Sequence, residues 1–217
     1  MARHRTLLLA TGNPGKLSEF RRILGDLPVE LICPADLNLE LAVPEEGQTF
    51  AENARAKACA YAAAAGMPAL ADDSGLEVDA LGGRPGVMSA RYGGEGASDS
   101  DRRRLLLAEM EAVPDGQRSA RFRCVIAVCW GGQVYLTEGS VEGTIAREER
   151  GSGGFGYDRL FLLPDRGRTM AELSPEEKNA LSHRGQAARA MRAVLERLLQ
   201  GNCSAPGLSL TDDLTKQ

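Results

Sequence analysis

Two long strand-like segments, RSARFRCVIAVCW and QVYLTEGSVEG, meet at Gly131 and Gly132. Paired glycines between two such runs supply the positive φ values of a tight turn, so the segments should pair as a long antiparallel hairpin. Elsewhere the chain alternates strand-like and helix-like stretches, the pattern that builds parallel neighbours. Residues 6–10 read as a short buried strand. Residues 14–24 read as a helix, with Leu17, Phe20, Ile23 and Leu24 on one face and Pro14 in its first turn. VELIC follows as a second strand. TFAENARAKACAYAAAAG is a helix capped by Thr49 with Glu52 and stopped at Gly66. ALADD reads as a strand ending in acids, and SDRRRLLLAEME as a helix. SPEEKNAL has Ser174 as N-cap, Pro175 at the first helical position and Glu177 completing the box. GQAARAMRAVLERLLQ is an amphipathic helix closed by Gly201. The expectation is an α/β fold with a mixed sheet, in one domain over residues 1–200, followed by a loosely held polar tail over 201–217.

Charge narrows the partners. Twenty-six basic against thirty acidic residues leave a net charge of −4. Non-specific nucleic-acid binding needs a surplus of cations, so no nucleic-acid partner is expected, although cations that converge locally can still hold a small polyanion. The five cysteines, Cys33, Cys59, Cys124, Cys129 and Cys203, include no C-x-x-C pair. Cys124 and Cys129 lie at an odd separation in one strand and should face opposite sides of the sheet. Neither a disulfide framework nor a zinc site is indicated, which fits a reduced, cytoplasmic setting. No apolar run is long enough to span a bilayer.

Several segments carry candidate chemistry. LLLATGNPGK runs an apolar stretch into a turn closed by Lys16. It lacks the G-x-x-x-x-G-K-[ST] spacing and so is not a P-loop. A strand-to-helix turn still aims backbone N–H groups and a positive dipole end at one point, and Lys16 in the first helical turn asks for a nearby anion. GSGGFG matches G-x-G-x-x-G formally, but the strand-like YDRLFLL after it excludes a dinucleotide fingerprint; a loop presenting Phe155, Tyr157 and Asp158 is expected instead. ADDSG places Asp72, Asp73 and Ser74 together, and PEEGQTF places Glu45 and Glu46 before the helix carrying Lys57. Carboxylates near a phosphate-shaped loop make a magnesium–phosphate site chemically sensible, although turn and cap chemistry explains each cluster equally well. Of the two histidines, His183 lies in the polar turn SHRG, and no G-x-S-x-G elbow accompanies it.

In this order, TGNPGK, TFAENARAKA, ADDSGLEVDALGGRPGVMSARYGG, GGFGYDRLF and AELSPEEKNALSHRGQA resemble the inosine/xanthosine triphosphate pyrophosphatase family, with the likeness extending over nearly the whole chain. The resemblance implies a two-lobed α/β protein with a long mixed sheet, flanking helices and an active-site cleft between the lobes. It also implies a homodimer and magnesium-dependent hydrolysis of ITP, dITP and XTP to the monophosphate and pyrophosphate. Carried onto this sequence, Thr11, Gly12, Asn13, Pro14, Gly15 and Lys16 correspond to the phosphate loop, and Lys57 to a phosphate-side lysine. Asp73 corresponds to the catalytic aspartate and metal ligand, with Glu45 the choice over Glu46 for the second acid. Ser74 corresponds to a substrate contact. Phe155, Gly156, Tyr157, Asp158, Lys178, His183 and Arg184 correspond to the base pocket, where His183 and Arg184 can donate to a 6-keto oxygen. Two other readings are a Maf-like nucleotide pyrophosphatase of different specificity, against which the SHRG and FGYD strings argue, and a non-catalytic nucleotide-binding protein.

Overall fold

The structure, a computed structural model, describes residues 5–201; the tail from 202 onward, Cys203 included, lies outside the described residues. A seven-stranded mixed sheet organises the chain in the order β2-β1-β3-β4-β5-β6-β7. β1 (Arg5–Leu9) pairs in parallel with β2 (Val29–Ile32) and β3 (Ala69–Val78). β4 (Ser119–Trp130) and β5 (Gln133–Ile145) form the expected hairpin, with Gly131 at φ 58° and Gly132 at φ 80° in its turn. Short strands β6 (Phe161–Leu163) and β7 (Arg168–Thr169) complete the sheet.

The helices follow the sequence closely. α1 (Pro14–Leu24) is capped by Asn13, whose side chain accepts from the Gly15 and Lys16 amides. α2 (Phe50–Ala65) has the Thr49–Glu52 capping box and ends at Gly66 in the left-handed region. α3 (Asp99–Glu109), α4 (Pro175–Leu181) and α5 (His183–Leu199) complete the set.

Two expectations change. ALADD does not end the strand: β3 runs on through Ser74 to Val78, because β4 pairs with it residue for residue from Ala69 to Val78. That long-range pairing overrides the turn preference of Asp-Asp-Ser-Gly. YDRLFLL is a strand only over Phe161–Leu163, since residues 157–160 turn.

α1 and α5 pack on one face of the sheet around Leu7, Leu9, Phe20, Cys124 and Met191, while α2 covers the other around Ala54, Ala58 and Ala71. Cys124 and Cys129 therefore face opposite sides, as their spacing requires. A second core, built on Leu76, Leu106, Phe122, Phe161 and Met170, sits where the long strands leave this layer. These two cores are the two lobes. Chain direction from β1 goes outward through α1 to β2 and back through α2 to β3, so the strand order reverses between β1 and β3. At such a switch point the helices diverge and a crevice opens beyond the strand ends. β1 stops at Leu9 while β3 continues, and the cleft occupies the vacated edge.

Candidate active site

The cleft is a cavity of about 260 Å³. It is lined from the first lobe by Asn13, Lys16, Glu45, Asp73 and Ser74, and from the second by Asp99, Arg102, Phe122, Phe155, Gly156, Tyr157 and Asp158. Lys178, His183 and Arg184 close its inner end. Segments far apart in sequence thus converge. Of the loop residues, Thr11, Gly12, Pro14 and Gly15 flank the cavity without lining it, and Lys57 stands behind Glu45, to which it is ion-paired. Glu46 is exposed and does not line the cavity, which favours Glu45 of the two.

Adjacent residues of a strand point to opposite faces, and Asp72 and Asp73 do so with different partners. Asp72 turns toward α1 and α5. Its Oδ2 lies 3.0 Å from Lys16 Nζ and accepts from Arg184 Nε and a terminal Arg184 nitrogen at 3.2 and 3.1 Å. Burial would raise this carboxyl, but Lys16, Arg184 and Lys57 outweigh it and hold Asp72 well below the usual carboxylate range. This is the anion that a lysine in the first turn of α1 requires. Asp73 turns toward α2, where its Oδ2 accepts from Asn53 Nδ2 at 2.9 Å. Burial lifts its carboxyl above the ordinary aspartate range, with the Asn53 hydrogen bond opposing and the Glu45 charge reinforcing.

Behind these acids runs a chain of alternating charge that sequence reasoning missed in part. Arg184 also donates to Glu19 at 2.6 Å and to Ser74 Oγ at 2.8 Å. Glu19 in turn lies 2.8 Å from Lys178, and Lys178 donates to Asp158 at 2.6 Å. Lys16, Asp72, Arg184, Glu19, Lys178 and Asp158 thus form one buried series linking α1, β3, α5, α4 and the glycine-rich loop. Lys16 and Glu19 belong to it because positions three apart share a helix face; that spacing was the available signal for Glu19. Asn53 gave a similar one, a polar side chain on the inward, alanine-rich face of α2.

The loop amides differ from expectation. Gly15 and Lys16 N–H donate to Asn13 Oδ1 at 2.8 and 3.2 Å, and Asn13 N–H donates to Thr11 Oγ1 at 3.1 Å. These three amides are satisfied within the turn, so the cationic side chains supply most of the attraction for an anion. In the glycine-rich segment Phe155, Tyr157 and Asp158 all line the cleft, the latter two also held by buried partners. Tyr157 is buried in the second core with its hydroxyl donating to the Ser89 carbonyl at 3.0 Å. Asp158 is turned inward, accepting from the Phe155 amide at 2.8 Å. α3 fixes this loop at Gly156, whose N–H donates to Asp99 at 2.8 Å and whose carbonyl accepts from Arg103 at 2.8 Å. Phe155 lies under Lys178 and Arg184, 4.6 and 5.5 Å from its ring centroid.

α5 begins at the cavity because β5 lets it approach. A Cβ on Gly139 would collide with the His183 carbonyl oxygen, so glycine sets the distance at which His183 enters the site. The His183 ring stacks on Phe122 at 4.7 Å. Burial, then Arg184 and Lys178, push its pKa well below the ordinary histidine range, which leaves it neutral. Its Nδ1 is buried without a partner.

Glu45 and Asp73 suit a hard divalent cation. Both line the cavity, and each carboxylate feels the other's charge, which a cation would relieve. No group of three or more metal-binding side chains occurs among the described residues, so phosphate oxygens and water would complete the coordination, the usual arrangement for magnesium.

A switch-point cleft with lysines on one wall, carboxylates beside them and an aromatic face opposite places the chain among α/β proteins that handle phosphorylated small molecules. More narrowly, the chain belongs to the Ham1 family, whose profile matches residues 7–194. A dITP/XTP pyrophosphatase of Geobacter sulfurreducens is 53% identical over 182 residues, covering 83% of this chain and 92% of that protein. A dITP/XTP pyrophosphatase of Thermus thermophilus is 51% identical over 202 residues, covering 93% and 95%. The solved structure of a HAM1 protein from Coxiella burnetii shares the fold with a TM-score of 0.81 at 45% identity, over 88% of this chain and 98% of the other.

Proposed function

We propose that this chain hydrolyses noncanonical purine nucleoside triphosphates, namely ITP, dITP and XTP, to the monophosphate and pyrophosphate, removing deaminated purines from the nucleotide pool. The single observation carrying this reading is that Lys16, Asp73 and Arg184, from three remote segments, converge on one cleft; the dITP/XTP pyrophosphatases among its relatives support the choice of substrate. The magnesium requirement and the homodimer implied by the resemblance, and the cytoplasmic setting that the cysteine usage fits, belong to the same proposal. Among the described residues no helix is long and apolar enough to cross a membrane.

Asp73 acts as the proton acceptor for a water aligned on the α-phosphorus. Asn53 fixes its orientation, and the raised carboxyl pKa strengthens it as a base. Lys16 and Lys57 offset the charge that builds on departing pyrophosphate. A magnesium ion held by Glu45 and Asp73 would polarise the phosphoryl oxygens. Phe155 stacks on any base and gives affinity without choice. Choice at the 6-position falls to donors. Four hydrogen bonds already occupy the Arg184 guanidinium, leaving one N–H. Neutral His183, whose ring lines the cleft, is the better placed donor to a keto oxygen in the tautomer that presents an N–H there. An adenine amino group would meet a donor with nothing to accept, a mismatch that costs several decades.

The test is pyrophosphate release from ITP, dITP, XTP, dTTP and ATP with and without magnesium. Magnesium-dependent release from the first three, at roughly 100-fold or more over ATP, supports the reading. Preference for dTTP would favour the Maf-like alternative, and no release would favour a binding protein. A second expectation concerns the roof of the cleft. A Cβ on Gly15 would lie 2.6 Å from Phe155 Cδ1. Gly15→Ala should therefore push the ring aside and raise KM for ITP about tenfold with little change in thermal stability. An unchanged KM would show that Phe155 does not roof the bound nucleotide.

A further inference from the structure

Two thiols meet well away from the nucleotide cleft. Cys59 lies on α2 and Cys129 near the end of β4. Cys129 pairs with Ala69 at the start of β3, whereas Asp73 pairs with Val125, which places the thiols about 13 Å up the strand from the catalytic acid. Both cysteines are half-buried and line one cavity of about 860 Å³ with Ala62, Met67, Pro68 and Trp130. α2 packs directly on β4, and the two thiols interact across that contact. The other described cysteines are placed differently: Cys33 donates to Asp36 at 3.1 Å, and Cys124 is sealed in the core beside Asp72.

A lone buried cysteine is an ordinary small hydrophobe. Two that touch across different elements, at the wall of a cavity solvent can enter, have a covalent option. We infer that Cys59 and Cys129 form an oxidant-closed dithiol site, which a peroxide or a small-molecule disulfide converts to an intramolecular disulfide stapling α2 to β4. With hydrogen peroxide, the Cys59 sulfur attacks one oxygen, the O–O bond breaks and water leaves, giving a sulfenic acid. The Cys129 sulfur then displaces the hydroxyl as a second water. Two thiol protons and two electrons pass to the peroxide, and one S–S bond forms. Burial and the neighbouring Cys59 hold the Cys129 thiol above its ordinary range, which disfavours it as the first nucleophile. Hydrolysis needs neither thiol, and the site stands apart from the proposed activity.

The experiment uses the full-length reduced protein, treated with hydrogen peroxide or oxidised glutathione, alkylated, digested and mapped by mass spectrometry. The expected product links the Cys59 and Cys129 peptides with loss of two hydrogens. The bridge closes a loop of roughly 70 residues, so the oxidised protein should melt about 5–10 °C higher, and dithiothreitol should reverse the shift. Before oxidation, phenylarsine oxide, which needs two adjacent thiols, should bind at one equivalent and fail to bind Cys59→Ala or Cys129→Ala. Should a variant fold poorly, the peptide map of the unmodified sequence decides alone. Cys59 found free, joined only to glutathione, or joined to Cys203 would overturn the inference.

Discussion

Replacing Asp73 with asparagine is expected to slow ITP hydrolysis by roughly 100- to 10,000-fold while the melting temperature at pH 7 stays level or rises. Asparagine matches aspartate in shape and keeps an acceptor for the Asn53 amide, so the strand and α2 have no reason to separate. What disappears is a buried negative charge. Burial raises the folded-state pKa of Asp73 above its unfolded value near 3.8, so the ionised carboxylate costs stability at pH values above the folded pKa. That cost fades as pH falls and the group takes up a proton. The variant's advantage should therefore be largest near neutrality, in protein free of divalent cations, and vanish on acidification to about pH 4. Such a pairing of lost activity with retained or gained stability marks a residue kept for chemistry. A kcat within threefold of the parent would remove Asp73 from the mechanism; a lowered melting temperature would make its role structural.

The sequence disclosed those parts of the fold whose causes are local. The hairpin turn needs φ values that Gly131 and Gly132 supply, and the boxes at Thr49 and Ser174 close within one turn of backbone. Parts settled at long range were harder to see. Asp-Asp-Ser-Gly reads as a turn in isolation, and only full pairing with β4 keeps it extended. That extension is what sends Asp72 and Asp73 to opposite faces, one into the charge series and the other to Asn53. Tyr157 lines the cleft beside Phe155, but the tie of its hydroxyl to the Ser89 carbonyl inside the second core was not legible from its neighbours in sequence. Glu19 was hidden by the composition of its own helix. A single acid among Leu17, Phe20, Ile23 and Leu24 looks like a solvated edge until Lys178 and Arg184 arrive from the far end of the chain.

Arg184→Ala should destabilise the protein by about 3–5 kcal/mol, because removing one partner strands buried charge on the other. Asp72 would keep Lys16 and Ser74 but lose both guanidinium hydrogen bonds, and Glu19 would keep only Lys178. Against a typical domain stability of about 5–15 kcal/mol, that is enough to leave a large unfolded fraction on warming. The effect has a definite pH signature. Asp72 is held below its unfolded value of 3.8, so its contribution is complete above that pH and is lost as pH falls toward the folded pKa. The variant lacks much of this contribution at neutrality. Its deficit in urea unfolding should accordingly stay greatest from pH 7 down to about pH 4 and narrow only below that, as Asp72 and Glu19 take up protons. A deficit below 1 kcal/mol at pH 7, or one that widens in acid, would contradict the buried series. This bears on recognition too. Lost ITP hydrolysis in Arg184→Ala would not separate base reading from collapse of the site, so selectivity belongs on Arg184→Lys, which keeps the positive charge between Asp72 and Glu19. With the keto oxygen read by His183, its ITP-to-ATP ratio of kcat/KM should stay within about threefold of the parent. A drop of two decades would return that role to the guanidinium.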